Sequence, residues 1–408
     1  MKFTKYIVQL QQNEKTILLN PATGGIIRVT NDVYNKINNN SVDEFTCEEK
    51  QFLIKTGFLV EEDYDDRILE EIEKNNLSSS FNLVFMTSEN CNFKCNYCYE
   101  NHSNNHIGDD VYDDVINLAK KSSKENLMVN WFGGEPLLEI NHIEYFMNKV
   151  FELNHFNVIK SSIITNGYLL SPENFHRLIN VNVNIFQITL DGLKEEHDTN
   201  RVLRNGKGTF DKIIANIKYI KESMVDFTVY LRYNFNENSK LLEYIDYIYE
   251  LIGNDQRFIL DFHTIGDWQS TYNGVPNAHK NCVIVSAMKK AYQLGMRVRA
   301  AEEDICPTGH LCSAKMSDAI IINYKREVMK CTIMLDWDKN IIGKLNSDGT
   351  ITYNENLLFW QKNVWQDKCS SCNVRPLCLN KYCPHIDYKT CKKQKEQMAI
   401  DALKVKYE

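Results

Sequence analysis

From Phe81 to about Gly295 the sequence alternates between two periodicities, and few architectures accept that alternation. Short apolar-rich runs at 82–86, 127–132, 159–165, 184–190, 227–233 and 258–263 read as strands. Between them 109–121, 141–153, 172–180, 210–223 and 239–252 repeat their apolar residues at helical spacing. A strand–helix unit repeated in this way dictates a parallel sheet with crossover helices. Six units are too few to close an eight-stranded barrel. The expected core is therefore α/β, a partial (β/α)6 TIM-like barrel with its chemistry at the C-terminal ends of the strands.

Those strand ends carry distinctive residues. The first runs into Cys91-Asn-Phe-Lys-Cys95-Asn-Tyr97-Cys98. Three thiolates within eight residues can wrap one face of a cubic iron–sulfur cluster and leave the fourth iron without a protein ligand. A structural zinc site closes with four ligands, and the next cysteine is Cys282. The second strand ends in Gly133-Gly134-Glu135-Pro136, where adjacent glycines let backbone approach closely and Glu135 offers a carboxylate to an ammonium group. The third ends in Thr165-Asn166-Gly167 and the fourth in Thr189-Leu190-Asp191-Gly192. Short polar side chains there suit a ribose or a carboxylate, as does Arg232 at the end of the fifth. Taken singly, Asp191 also reads as a helix cap and Arg201 as a surface ion pair.

Together these motifs resemble the radical S-adenosylmethionine (SAM) enzymes. The cysteine loop, with Tyr97 before its third cysteine, is similar to that family's CxxxCxxC loop, and Gly133–Pro136 to its GGEP motif. The order Asp191-Gly192, His197, Arg201 and Gly206-Lys-Gly-Thr-Phe210 resembles the peptide-modifying branch. The resemblance implies that Cys91, Cys95 and Cys98 hold a [4Fe-4S] cluster whose open iron takes SAM. One electron then yields a 5′-deoxyadenosyl radical. Tyr97, Gly133, Gly134, Glu135, Pro136, Thr165, Asn166, Asp191 and Arg232 are the implied cofactor-binding residues, with Glu135 on the SAM ammonium.

A second cysteine group fills the last hundred residues: Cys306-x5-Cys312-x18-Cys331, then Cys369-x2-Cys372-x5-Cys378-x4-Cys383-x7-Cys391. Eight thiols match two further four-ligand clusters, although Cys369-x2-Cys372 is also a zinc-knuckle spacing. The region resembles the SPASM extension of radical SAM enzymes. That resemblance implies three [4Fe-4S] clusters in all, with Cys306, Cys312, Cys331 and Cys383 on one auxiliary cluster and Cys369, Cys372, Cys378 and Cys391 on the other. The family spaces the cysteines matching Cys378 and Cys383 by three residues instead of four. It also spaces the first two core cysteines more closely, and it places a glycine where this chain has Arg326.

Residues 1–80 read as a small N-terminal α+β module: short strands around Tyr6–Leu10, Thr16–Leu19 and Gly25–Val29, then helical stretches at Asn31–Ile37, Glu48–Lys55 and up to about Lys74. Three strands followed by helices is similar to the leader-recognition elements of peptide-modifying radical SAM enzymes, which add a leader strand to a sheet edge. A cap packed on the barrel is the other reading. Cys47 reads as a buried small hydrophobe and Cys282 as core. The expected division is 1–80, 81–300 for the barrel and 301–408 for the Cys-rich SPASM domain.

At 408 residues two or three domains are the prior. A net charge of −7 argues against a nucleic-acid partner. No stretch approaches the ~18 apolar residues of a membrane span. Without an export signal, thirteen cysteines, most of them clustered, read as metal ligands in a reducing cytoplasm.

The expectation is a radical SAM maturase of a ribosomally made precursor peptide with a leader, forming a thioether or carbon–carbon cross-link. A flavodoxin- or ferredoxin-like protein is the implied reductant. The alternatives are a sulfatase-type maturase making formylglycine from Cys or Ser, and a non-catalytic iron–sulfur electron-transfer protein. Sulfatase-type enzymes place a carboxylate after the cysteine matching Cys331, where this chain has Thr332, and no catalytic base is evident.

Overall fold

Apolar alternation at the N-terminus produces a three-stranded antiparallel sheet in the computed structural model, which describes residues 1–77, 80–236, 238–265, 282–362, 366–384 and 386–408. The opening elements are β1 (Lys2–Phe3), β2 (Val8–Gln12), β3 (Lys15–Asn20), β4 (Gly25–Thr30), α1 (Asn31–Asn38), α2 (Cys47–Lys55), β5 (Leu59–Val60) and α3 (Tyr64–Leu77). Strands β2, β3 and β4 form the sheet, and β1 pairs with β5. Thr30 caps α1, and Thr46 with Glu49 forms a capping box on α2. One sheet face packs Leu18, Ile27 and Val29 against Ile37, Leu53 and Phe58 of the following segments. Cys47 corrects the sequence reading. It is exposed at the first turn of α2, whose inward face is carried by Leu53.

The barrel follows as β6 (Ser80–Met86), β7 (Phe93–Cys95), α4 (Asp109–Lys120), β8 (Asn126–Phe132), α5 (Ile140–Leu153), β9 (Val158–Thr165), α6 (Pro172–Asn180) and β10 (Val183–Thr189). It continues through α7 (Lys194–Asn200), β11 (Arg201–Leu203), α8 (Phe210–Glu222), β12 (Thr228–Phe235), α9 (Leu241–Ile252), β13 (Phe258–Thr264), α10 (Cys282–Gln293), β14 (Arg297–Val298) and α11 (Arg299–Glu303). Strands β6, β8, β9, β10, β12 and β13 lie side by side in chain order, all parallel. Covered on both faces, they bury Leu83, Phe85, Trp131, Ile163, Phe186, Ile188 and Leu231 almost completely. Phe85 and Trp131 stack with centroids 4.9 Å apart. Helix α9 turns Leu241, Tyr244, Ile245 and Ile248 inward, and burying such a side chain contributes about 2 kcal/mol. Cys282 opens α10, and its side chain lies outside the described residues.

The C-terminal elements are β15 (Ala319–Ile322), β16 (Glu327–Met329), β17 (Ile341–Leu345), β18 (Ile351–Tyr353), α12 (Asn356–Gln361), α13 (Gln366–Ser370), α14 (Arg375–Cys378) and α15 (Tyr388–Tyr407). Strand β15 pairs parallel with β6, and β16, β17 and β18 continue antiparallel, so one sheet runs from β14 to β18. Helix α15 crosses back to the N-terminal sheet, where Ala399, Ala402 and Leu403 meet Val8, Leu10, Ile17 and Leu19.

Two departures from the family spacing have local explanations. Arg326 takes the left-handed conformation (φ 63°) that a glycine adopts freely, and its guanidinium reaches Asp114 and, at 2.6 Å, Asp110 on α4. The extra residue between Cys378 and Cys383 is absorbed by a turn in which both Leu379 and Asn380 are left-handed (φ 45° and 63°). Among the described residues no helix is long and apolar enough to cross a membrane.

Candidate active site

The first cysteine loop leaves β6 and is held against the barrel mouth by backbone pairing that only glycine permits. Gly134 N donates to Ser88 O at 2.8 Å and Glu135 N to Asn90 O at 2.8 Å. A Cβ on Gly134 would lie 2.2 Å from Asn90 O, and one on Gly133 (φ +107°) 2.6 Å from Ser88 O. The Gly-Gly pair therefore brings the end of β8 into direct contact with the segment that leads to Cys91.

Glu135 does not face the cavity. Fully buried, it accepts hydrogen bonds from Leu137 N (3.0 Å), Thr165 Oγ1 (2.7 Å) and Asn166 N (2.8 Å). Burial pushes its carboxyl up, against three donors that favour the ionised form. Its visible task is to tie β8 to the end of β9, and Pro136 begins the buried turn that follows. Asn166, so placed, donates through Nδ2 to Asn92 Oδ1 (2.8 Å) and lies 3.9 Å from Cys91 Sγ.

A second brace comes from the far side of the barrel. Strand β11 pairs antiparallel with β7 and sets Arg201 opposite Cys95. Arg201 is buried and donates to the Tyr97 hydroxyl at 2.7 Å, while Tyr97 donates to Asp191. Asp191 also accepts from Asn234 N (3.0 Å). Its own backbone N–H donates to His197 Nδ1 (3.1 Å), whose Nε2 lies 3.0 Å from Thr209 Oγ1. That hydroxyl donates to Arg201 O at 2.6 Å, so His197 carries its hydrogen on Nε2. Asp191 is thus no helix cap but is held by Tyr97 and Asn234, and Arg201 is no surface charge. Together they lock the ribbon that carries Cys95.

Between these braces lies a cavity of about 340 Å³. All three loop thiols, Gly133, Gly134, Thr165, Asn166 and Arg232 line it, as do Thr332 and Ile333 just beyond Cys331. Its size is that of a small-molecule site. Burial pushes the Cys91 thiol to about 12 and the Cys98 thiol, open to the cavity but walled by protein, to about 11. Such thiols ionise when a metal ion binds. Three soft donors at the edge of a cofactor-sized cavity, beside the Arg201 cation, fit a [4Fe-4S] cluster and would leave the cavity itself to SAM.

Two lining groups carry no sequence motif. His263 Nε2 lies 3.0 Å from both carboxylate oxygens of Asp261, on β13. His102 Nε2 lies 3.4 Å from Cys98 Sγ. Period-2 alternation was the available signal for the first: Asp261 and His263 are polar, two residues apart, in an apolar strand.

The late cysteines separate into two electrostatic neighbourhoods. Burial raises the Cys312 thiol to about 11, with Cys383 and Cys331 adding to it. Burial likewise raises Cys391 to about 12, with Cys378, Cys372 and Cys369 adding to it. Cys306 is exposed and donates to Glu302 O at 2.9 Å. Among the described residues no three His, Cys, Asp or Glu side chains are gathered as ligands of one ion. In a cubic cluster each thiolate binds a different iron, a wider arrangement.

A sequence profile of the radical SAM superfamily matches residues 85–246. The chain is 31% identical over 188 residues to a cysteine-type anaerobic sulfatase-maturating enzyme of Clostridium novyi (strain NT), covering 43% of this chain and 49% of that one. It is 26% identical over 222 residues to the radical SAM cyclopropyl synthase TigE of Paramaledivibacter caminithermalis, covering 48% and 46%. The matches span about half the length of these curated relatives. Among solved structures, native anSMEcpe with bound AdoMet and Cp18Cys peptide superposes with a TM-score of 0.59 at 18% identity, over 80% of this chain and 97% of that one. Streptococcus suis SuiB bound to precursor peptide SuiA gives 0.53 at 14%, over 96% and 100%. At these identities the structural likeness is one of fold. The profile match begins in β6, takes in the cysteine loop and ends in α9, and with the sequence relatives it identifies a radical SAM domain in this chain, homologous to that of anaerobic sulfatase-maturating enzymes.

Proposed function

We propose that the chain modifies a ribosomally made precursor peptide, cross-linking it through a thioether or carbon–carbon bond. With SAM on a reduced [4Fe-4S] cluster held by Cys91, Cys95 and Cys98, the site supplies a 5′-deoxyadenosyl radical. The observation that carries the reading is the shared cavity. It is walled on one side by the cysteine loop and on the other by Thr332 and Ile333, which follow directly on a cysteine of the late group. A peptide side chain placed there meets both regions and is screened from bulk water, as an indiscriminate radical requires.

Within this reading, Asn166 and the Gly133-Gly134 backbone shape the SAM side of the cavity, and Arg232 offers a cation to a carboxylate or ribose oxygen. Two auxiliary clusters on the late cysteines, paired as the SPASM resemblance implies, hold the substrate or accept an electron. Residues 1–80 take the leader: neither outer strand of the β2–β4 sheet has a further β-partner among the described residues. The barrel occupies 81–300 and the auxiliary-cluster domain 301–408. The full-length overlap with SuiB, solved with a precursor peptide, supports this assignment.

The identity to a sulfatase-maturating enzyme favours a second reading, oxidation of one Cys or Ser to formylglycine. One experiment separates the two. The anaerobically reconstituted full chain is incubated with SAM, reductant and the peptide encoded beside its gene. Release of 5′-deoxyadenosine with a peptide lighter by two hydrogens, still holding its sulfur and carrying no aldehyde, supports the cross-link. A new aldehyde, with loss of sulfur where the target is a cysteine, supports formylglycine. No 5′-deoxyadenosine under any condition overturns both.

A further inference from the structure

We propose that His263 is the proton acceptor of the cavity, oriented for that task by Asp261. The inference rests on the peptide-modifying reading and gives it a residue for the step in which a proton must leave the substrate.

The geometry assigns the tautomer. Asp261 is 4% exposed, and its carboxylate also receives Arg299 Nη1 at 3.3 Å. Burial works to raise the Asp261 carboxyl, yet His263, Arg299 and Arg232 hold it below the usual range. An ionised carboxylate can only accept, so His263 Nε2 carries the hydrogen and Nδ1 keeps the lone pair. Nδ1 makes no hydrogen bond among the described residues, and the ring, 37% accessible, lines the cavity. Burial, and then Arg232 on the neighbouring strand, lower the imidazole below 6.5 against Asp261, so it is neutral near pH 7. Asp261, Arg232 and Arg299 are the charged groups that act on it.

The other candidates in the cavity are committed elsewhere. His102 is bonded between Cys98 Sγ and Glu89 O (3.1 Å). The Tyr97 hydroxyl belongs to the Asp191 network, and Glu100 follows Cys98 by only two residues, too close to the thiols to count as an independent acceptor. Arg201 and Arg232 are cations. His263 stands on a strand remote in sequence from that loop, and a carboxylate that orients an imidazole is the usual device for making it a base.

For a thioether the balance is as follows. A substrate C–H and an S–H bond break and a C–S bond forms. One hydrogen atom goes to the 5′-deoxyadenosyl radical, one proton to His263 Nδ1, and one electron to an oxidised iron–sulfur cluster.

The test begins without substrate. Diethyl pyrocarbonate acylates only an accessible, unprotonated imidazole nitrogen. The anaerobically purified full chain is treated with it between pH 5 and 8, and His263 is followed by peptide mass spectrometry in the wild type and in Asp261→Asn. The expected result is acylation of wild-type His263 with a half-point below 6.5, slowed at least tenfold in Asp261→Asn, whose amide can donate to Nε2 and move the hydrogen to Nδ1. An unreactive His263, or equal rates in the two proteins, overturns the proposal. A second arm compares wild type and His263→Gln with the peptide encoded beside the gene. The modified peptide formed per 5′-deoxyadenosine should fall at least tenfold and lose its acid limb, and an unchanged ratio overturns the assignment. If the wild type modifies no peptide, the peptide reading fails, and the acylation result alone then decides for or against His263.

Discussion

The two ends of the cysteine inventory are built differently. Cys91, Cys95 and Cys98 sit on a loop pinned by backbone hydrogen bonds from the Gly-Gly turn and by the β7–β11 ribbon, and they face a cavity. Cys369, Cys372, Cys378 and Cys391 are all buried, Cys369 and Cys391 in a cluster with Tyr382 and Ile386, and none of the four lines that cavity. A thiol set that must admit a reactant needs an open side and therefore a brace from elsewhere. One that stores or conducts an electron can be closed over. The contrast is the geometric ground for proposing the front loop as the reactive one.

The strongest way to break the contrast is to remove one set and count what remains. Cys91→Ala/Cys95→Ala/Cys98→Ala should reduce iron in anaerobically purified protein from about twelve to about eight atoms per chain and abolish 5′-deoxyadenosine release. A fall from about four to none, with zinc bound, would mean that the late cysteines form a zinc module.

Next comes the brace. Gly134→Ala places a methyl carbon on the Asn90 carbonyl, so the loop must move. We expect SAM cleavage to fall at least tenfold and thermal stability to drop by about 1–3 kcal/mol. An alanine variant with wild-type turnover would show that the loop does not depend on this contact.

Glu135→Gln sharpens the comparison further. Its amide would turn an NH2 toward groups that themselves donate, at a cost of about 1–3 kcal/mol in denaturant unfolding. A rise in KM for SAM with no loss of stability would instead restore Glu135 as a direct partner of the SAM ammonium.

The smallest effect is a pH slope. Burial, then Arg201, lower the His197 imidazole well below 6.5. The unfolded chain therefore takes up this proton first as pH falls below about 6.5. Stability should drop by up to about 1.4 kcal/mol per pH unit in that window, with no contribution from this group above it. His197→Gln should flatten the acid limb of unfolding midpoints. An unchanged slope would place the titration elsewhere, His263 being the next group of the same sign.

The six barrel strands were legible because strands buried on both faces are apolar throughout, and the first loop because three cysteines within eight residues stand out in the sequence itself. The β7–β11 ribbon was not. It is three residues on each side, joined across more than a hundred positions, and no local periodicity reports such a pairing. Asp191, His197 and Arg201 could be picked out as a pattern, yet their task of locking that ribbon depends on tertiary neighbours. Glu135 shows the same limit in reverse. Its position in a motif suggested an outward carboxylate, and the fold turned it inward to join two strand ends. Cys47 was misjudged because a short helix gives too few turns to fix which side faces water.

Strand β15 lies hydrogen-bonded beside β6, and β16 returns antiparallel, with Met329 beside Ile321 and Ile321 beside Val84. Cys91 follows the C-terminal end of β6, and Cys331 follows β16. Both thiols thus hang from strands of one sheet, whose register is set by neighbours about 4.8 Å apart. Their separation is a property of that sheet, indifferent to the length of the two hundred and more residues between them.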